Sequence, residues 1–194
     1  MKKYLFWVGI LLIIVVFVSG CGMKRPYMAN QPAALKPSEG KALVNFMRPS
    51  GYARAASFSI WDGDKLIGMS FGKESFQYEC DPGKHLFVTW SEYKSPLEAD
   101  LLPNRVYYVL LRIRMGMWRG RLHFIPINKG HELWNETLSS YSLLPNYAFD
   151  GQYLVDLENK NKQKILDYLN NYDNEVKGTK HVNYLRPEDG VILE

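Results

Sequence analysis

A chain of 194 residues with 46% hydrophobic and 23% charged side chains has room for about one domain and enough apolar surface to bury a core, which excludes a multi-domain assembly and wholesale disorder. Two cysteines exclude a disulfide-rich scaffold and a four-thiolate zinc site, and a formal charge of +4 is too mild to mark a nucleic-acid binder. With 13 Tyr, 9 Phe and 5 Trp favouring half-buried strands, the expected class is mainly β.

The first element is a leader, expected over residues 1–20. Met1 to Lys3 is a short positive start, Tyr4 to Val18 is an uncharged apolar run of fifteen residues, and Ser19, Gly20 and Cys21 follow at once. That is the pattern of an export signal. At ~1.5 Å rise per residue the run covers ~22 Å, short of the ~30 Å hydrocarbon core that a permanent span must cross. Val18-Ser19-Gly20-Cys21 resembles the lipobox of bacterial lipoproteins. The resemblance implies cleavage between Gly20 and Cys21, with a diacylglycerol on the Cys21 sulfur and an N-acyl chain on its amine; no other cofactor is expected. Each buried CH₂ contributes ~0.8 kcal/mol, so several acyl chains hold a protein on a membrane without spanning it. Gly22, where inner-membrane lipoproteins commonly carry Asp, implies the periplasmic face of the outer membrane if the cell has two membranes. The plain alternative is an uncleaved signal anchor whose cysteine is incidental.

Residues 21–40 read as the lipidated cysteine and a linker, with Pro26, Pro32 and Pro37 and no hydrophobic period. Nineteen flexible residues from Gly22 to Gly40 have a root-mean-square span of about 25 Å. Lys24 and Arg25 are placed to touch anionic headgroups, or simply to be solvated.

From 41 to 128 short alternating or apolar runs are separated by turn residues every eight to twelve positions, the pattern of a small antiparallel β-sandwich of about 7–8 strands. The expected strands are 41–47, 57–61, 65–70, 75–80, 84–91, 97–102, 106–114 and 119–127. Asp62-Gly63-Asp64, Asp81-Pro82-Gly83 and Pro103-Asn104-Arg105 each carry turn chemistry and predict a tight hairpin. Alternation puts Phe76, Tyr78 and Cys80 on one face, and Tyr107, Val109, Leu111 and Ile113 on one face, with both sets turned inward.

These same stretches carry a resemblance. Residues Ala42 to Pro49, Trp61-Asp62-Gly63 with Ile67-Gly68, Asp81-Pro82-Gly83-Lys84-His85 and Val106-Tyr107-Tyr108-Val109 resemble bacterial lipoproteins of domain-of-unknown-function family 2846, over roughly Lys41 to Asn128. The resemblance implies a transthyretin-like or PEGA-like sandwich module on an envelope lipoprotein, with no assigned activity and no catalytic residue to carry over. Pro103-Asn104-Arg105 departs from it, since such modules often place a glycine there.

Residues 129–194 change texture. Leu133, Trp134, Leu138 and Tyr141 recur at helical spacing, as do Ile165, Leu166, Leu169, Tyr172 and Val176, so one or two α-helices are expected, the first stopped by Pro145. They form either a cover on a sheet face or a partner-binding extension.

The most chemical cluster is Arg112, Arg114, Arg119 and Arg121 around the loop Met115-Gly116-Met117-Trp118. A hairpin with 114 opposite 119 and 112 opposite 121 puts four guanidinium groups on one face, with Trp118 at the tip. Like charges across strands destabilise a sheet, so this face is a candidate anion or partner surface. The structural alternative pairs it with Glu98 and Asp100 on the preceding strand, and covers the adjoining Tyr108, Leu110 and Ile125 with a helix bearing Asp167, Asp173 or Glu175. Cys80 reads as a small buried hydrophobe or as an intermolecular bridge. His85, His123, His131 and His181 fall in no metal-ligand spacing, and Asp62 and Asp64 read as turn formers beside Gly63. No Ser or Cys nucleophile motif and no phosphate-binding loop is present.

The expected function is therefore that of a lipid-anchored envelope lipoprotein, with a non-catalytic sandwich presented to another envelope protein or polymer. The alternative is binding of an anionic lipid or envelope glycan through the arginine hairpin. An envelope hydrolase is a third, lesser reading.

Overall fold

The computed structural model describes residues 28–54, 56–90, 95–115 and 120–193, so Gly20, Cys21, Trp118 and Arg119 lie outside the described residues. All eight expected strands form: β2 (Ala42–Arg48), β3 (Phe58–Asp62), β4 (Lys65–Ser70), β5 (Glu74–Cys80), β6 (Gly83–Trp90), β7 (Ser95–Leu101), β8 (Arg105–Met115) and β9 (Gly120–Ile127). Three short strands join them, β1 (Met28–Asn30), β10 (Tyr147–Phe149) and β11 (Asn183–Leu185). Two helices follow the main strands, α1 (Trp134–Tyr141) and α2 (Gly151–Glu175). The class is mainly β, as expected.

One sheet runs β5-β2-β8-β9 and faces a second that runs β11-β7-β6-β3-β4, while β1 and β10 form a separate pair. Between the two larger sheets Phe46 stacks on Phe76 with centroids 5.0 Å apart and meets Phe87 edge-on at 5.3 Å. Tyr107, Val109, Leu111, Leu122 and Phe124 fill the rest of this layer, on the face that alternation assigns to them. Cys80 is a free thiol in the same layer, 7% exposed.

Three features correct the expectation. First, the sandwich is not purely antiparallel: β2 pairs parallel with β8, and β11 parallel with β7. Every residue of β2 is buried, because it lies between β5 and β8 with layers on both faces. Alternation records the buried face of a strand but not the direction of its neighbour.

Second, only Asp62-Gly63-Asp64 closes a hairpin, between β3 and β4, with Gly63 at φ 55°. Asp81-Pro82-Gly83 and Pro103-Asn104-Arg105 instead carry the chain from one sheet to the other. Their turn chemistry is real, with Gly83 at φ 123° and Asn104 at φ 58°, but a local reversal of the chain does not specify which sheet the next strand joins.

Third, the linker reading fails from Met28 onward. β1 pairs antiparallel with β10, and the Ala34, Ser38 and Gly40 amides donate to the Gln77, Glu79 and Asn104 side chains. The residues between these anchors are exposed except for half-buried Pro37, and they carry two prolines, and therefore read as tether in sequence.

The segment after Asn128 packs on both sheets. α1 lies on the outer face of the β2–β8 sheet, where Tyr108 meets Trp134 and Tyr141 edge-on at 5.7 and 5.9 Å. α2 starts at Asp150, whose side chain accepts from the Tyr153 amide at 2.8 Å, an N-cap that offsets one orphan donor. It buries Ile165, Tyr168 and Tyr172 on Trp61, Leu66 and Val88 of the other sheet. Ile165 alone contributes ~1.5–3 kcal/mol by its burial. Asp167, Asp173 and Glu175 therefore lie on the opposite side of the molecule from Tyr108, Leu110 and Ile125, which α1 covers in place of the expected acidic helix.

Candidate functional site

The arginine cluster sits on the β8–β9 hairpin in a register shifted by two residues from the expected one. Arg114 pairs with Arg121, Arg112 with His123, and Met115 with Gly120. A shift of two preserves the face of every side chain, so the hydrophobic pattern does not discriminate between these registers. Gly120 fits the observed one, because a Cβ there would stand 3.1 Å from Ile113 Cγ2.

Arg112 and Arg114 are exposed, Arg121 and His123 half-buried, and Met115 is 68% exposed. The structure thus gathers Arg112, Arg114 and Arg121 on one outer face; Trp118 and Arg119, expected at the tip, lie outside the described residues. Burial holds the His123 imidazole below its usual pKa, and the nearby Arg114, Arg121 and His181 charges push the same way. The hairpin face therefore concentrates positive charge without a histidinium at neutral pH.

Glu98 and Asp100 do not compensate this charge. β7 belongs to the opposite sheet, where Glu98 stands across from Leu86 and Asp100 across from Lys84. Glu98 Oε1 accepts a 2.8 Å hydrogen bond from Tyr172 Oη of α2. Burial and the Glu98 charge both raise the Tyr172 pKa, so the phenol keeps its proton and donates. The contact lies in an open cleft of about 730 Å³ whose lining mixes apolar Leu86, Leu169 and Leu185 with charged Lys84, Asp100 and Asp173.

A third cluster has no counterpart in the sequence reading. Asp62 Oδ2 lies 2.7 Å from His85 Nδ1 and accepts from Tyr78 Oη at 3.0 Å, while His85 Nε2 lies 2.9 Å from the Asp81 carbonyl oxygen. A carbonyl only accepts, so Nε2 carries a proton; Nδ1 carries another toward the carboxylate. The hydrogen bond to Asp62 is the main cause that lifts the His85 pKa to about 10. An imidazolium with both nitrogens engaged has no lone pair to serve as a general base. The cluster joins β3, β5 and β6, and its usable sequence signal was the wide spacing of a turn Asp and a strand His, which alternation alone does not connect.

Among the described residues no group of three or more His, Cys, Asp or Glu side chains is placed to hold a metal ion. No family model, curated protein or solved structure matches the chain.

Proposed function

We propose that the chain is a lipid-anchored protein of the bacterial envelope whose β-sandwich serves as a non-catalytic interaction module, with the β8–β9 hairpin as its contact surface. The observation that carries this reading is the run Tyr4 to Val18 followed by Ser19-Gly20-Cys21, which supplies both an export signal and a lipid-acceptor cysteine. No helix among the described residues is long and apolar enough to cross a membrane. The module's own α1 and α2 cover parts of the two outer sheet faces, and Arg112 and Arg114 of the hairpin stay exposed. Kinship with domain-of-unknown-function family 2846 belongs to the same proposal and rests on the shared turn and strand-start residues.

The test is Cys21→Ala. The expected result is an unprocessed or soluble precursor; normal processing and membrane attachment in that variant would overturn the anchor. Crosslinking in intact cells with mass spectrometry of the captured neighbours then identifies what the module touches.

A second reading is favoured by one contact, the direct cross-strand pairing of Arg114 with Arg121. Two arginines directly across strands put positive charge on one patch, which suits a lipid headgroup or a phosphorylated glycan. Salt-dependent binding of the chain to anionic vesicles separates this reading from the first.

A further inference from the structure

The helix α2 covers only part of its sheet. It packs on Trp61, Leu66 and Val88 of β3, β4 and β6, and beside that cover lies the cleft of about 730 Å³, floored by β6, β7 and β11. Parity fixes which side chains form the floor. Phe87, Leu97 and Leu185 point into the core between the sheets, so Leu86, Glu98 and Tyr184 point the other way. The pairing sets these three in one row across the strands, Leu86 opposite Glu98 and Glu98 opposite Tyr184, with Lys84 opposite Asp100 in the next row. On the helix side Leu169, Tyr172 and Asp173 share one face of α2, and Lys177 follows just past its end.

Polar groups converge here beside an aromatic ring. Tyr184 is 45% exposed, a phenol ring left at the surface next to charged side chains. A carboxylate offers about four lone-pair sites, and Glu98 gives one to the Tyr172 hydroxyl. Lys177 Nζ carries more protons than the one it donates to Asp173 Oδ1 at 2.8 Å. The hydrogen bond and charge of Asp173 raise the Lys177 pKa, and Glu98 and Tyr184 add to that shift across the cleft.

Charge decides the class of ligand. Lys84, Lys177 and Arg186 are matched by Glu98, Asp100 and Asp173, and the His85 imidazolium is held against Asp62. A lining balanced in this way exerts little net pull on an anion or a cation. It suits a neutral molecule with an apolar face and a hydroxyl-rich edge, which is the chemistry of a pyranose ring. The C–H face of such a ring stacks on an aromatic side chain, while its hydroxyls donate to carboxylates and accept from ammonium groups. The volume falls within the ~300–1,000 Å³ of small-molecule sites, where a few convergent polar groups fix orientation.

We propose that this cleft binds a neutral oligosaccharide, with one sugar ring laid on Tyr184 and its hydroxyls shared among Glu98, Asp100 and Lys177. The cleft belongs to the sheet opposite the β8–β9 hairpin, so it is a second binding surface that depends neither on the arginines nor on the lipid anchor.

The probes are chitotriose and maltotriose, both neutral, set against the cationic glucosamine trimer and the anionic galacturonate trimer. Each is titrated into the full chain while the amide chemical shifts are followed by NMR. The expected result is a saturable shift at the Glu98, Asp100 and Tyr184 amides with at least one neutral trimer, at lower concentration than with either charged trimer. Tyr184→Ala should weaken that binding about tenfold through loss of the ring contact, and Tyr184→Phe should restore most of it. Asp100→Ala, an exposed position whose loss leaves the core intact, should weaken it about fivefold. No saturable shift with either neutral trimer overturns the proposal. So does equal or tighter binding of a charged trimer, a shift confined to the hairpin around Arg112, or undiminished affinity in both Tyr184→Ala and Asp100→Ala. Failure of the anchor reading in the Cys21→Ala test leaves all these outcomes unaffected.

Discussion

Asp62 Oδ2 and His85 Nδ1 stand 2.7 Å apart with side chains only 13% and 14% exposed, so a charged pair links β3 to β6 at the rim of the core. The folded-state pKa of His85, lifted to about 10, exceeds its unfolded value near 6.5. Its stabilisation is thus complete below pH ~6.5 and declines as pH rises toward about 10. Urea unfolding of the native chain should show stability falling between pH 6.5 and 9, and His85→Gln should flatten that slope. A ring that titrates near 6.5 by NMR would refute the pairing.

Arg48 is fully buried at the end of β2. Its Nη2 donates to the Tyr52 and Ala53 carbonyls at 2.7 and 3.0 Å, Nη1 reaches the Ser70 carbonyl at 3.4 Å, and the guanidinium lies 5.5 Å from the Phe58 ring. Burial lowers its pKa and the Glu74 charge opposes that shift. Arg48→Met should cost ~3–5 kcal/mol, because it removes the charge that balances buried Glu74 and leaves several carbonyls without their donor. Arg48→Lys keeps the charge but loses the fork, and should still cost about 2 kcal/mol. Chemical denaturation of both variants checks the order; equal stability of Arg48→Lys and the native chain would sink it.

At Gly190 an added Cβ would stand 2.6 Å from Tyr107 Cζ and 2.8 Å from its Oη. Tyr107 is fully buried, and its hydroxyl accepts from the Leu102 amide at 2.8 Å and donates to the Pro187 carbonyl at 3.3 Å. Gly190→Ala should therefore destabilise by ~1–3 kcal/mol through overpacking, seen as a lowered thermal midpoint. Gly178, where nothing lies within 4 Å of an added Cβ, is the comparison site for the left-handed backbone alone, at φ 75°.

Tyr172→Phe deletes the donor to Glu98 and leaves the ring packing intact. It should cost about 1–2 kcal/mol, since the acceptor is a carboxylate. Glu98→Gln keeps an acceptor and should cost less. Thermal denaturation ranks the two.

Much of the strand layout was legible because turn residues and period-two alternation act locally. Phe76, Tyr107 and Leu111 face the core as their parity requires, and Trp134, Ile165 and Tyr172 lie on helices whose spacing announces them. Pairing was less legible. The parallel bond of β2 to β8 and the two-residue shift that sets Arg114 beside Arg121 preserve alternation, so the pattern is silent on both. Buried polar residues were missed for another reason. Arg48 and Asn45 look like surface positions until the loop just after β2 folds its Tyr52 and Ala53 carbonyls onto Arg48 and a segment far along the chain brings the Tyr141 hydroxyl to Asn45. The same holds for the candidate surface: composition located the arginines, but which of them stand across from each other depends on a register that the pattern leaves open.

The strand order also dictates a timetable for folding. Ala42 waits for Arg105 before β2 acquires its second neighbour, and Leu97 waits for Asn183 before β7 gains its outer one. Contacts so distant along the chain must overcome the entropy of closing long loops before they contribute, which slows the search. A chain emerging amino end first thus passes through a stage in which β7 has a vacant side that Asn183–Leu185 later fills. Truncation ahead of Asn183 would make that transient vulnerability permanent and leave the outer side of β7 open to strand-mediated aggregation.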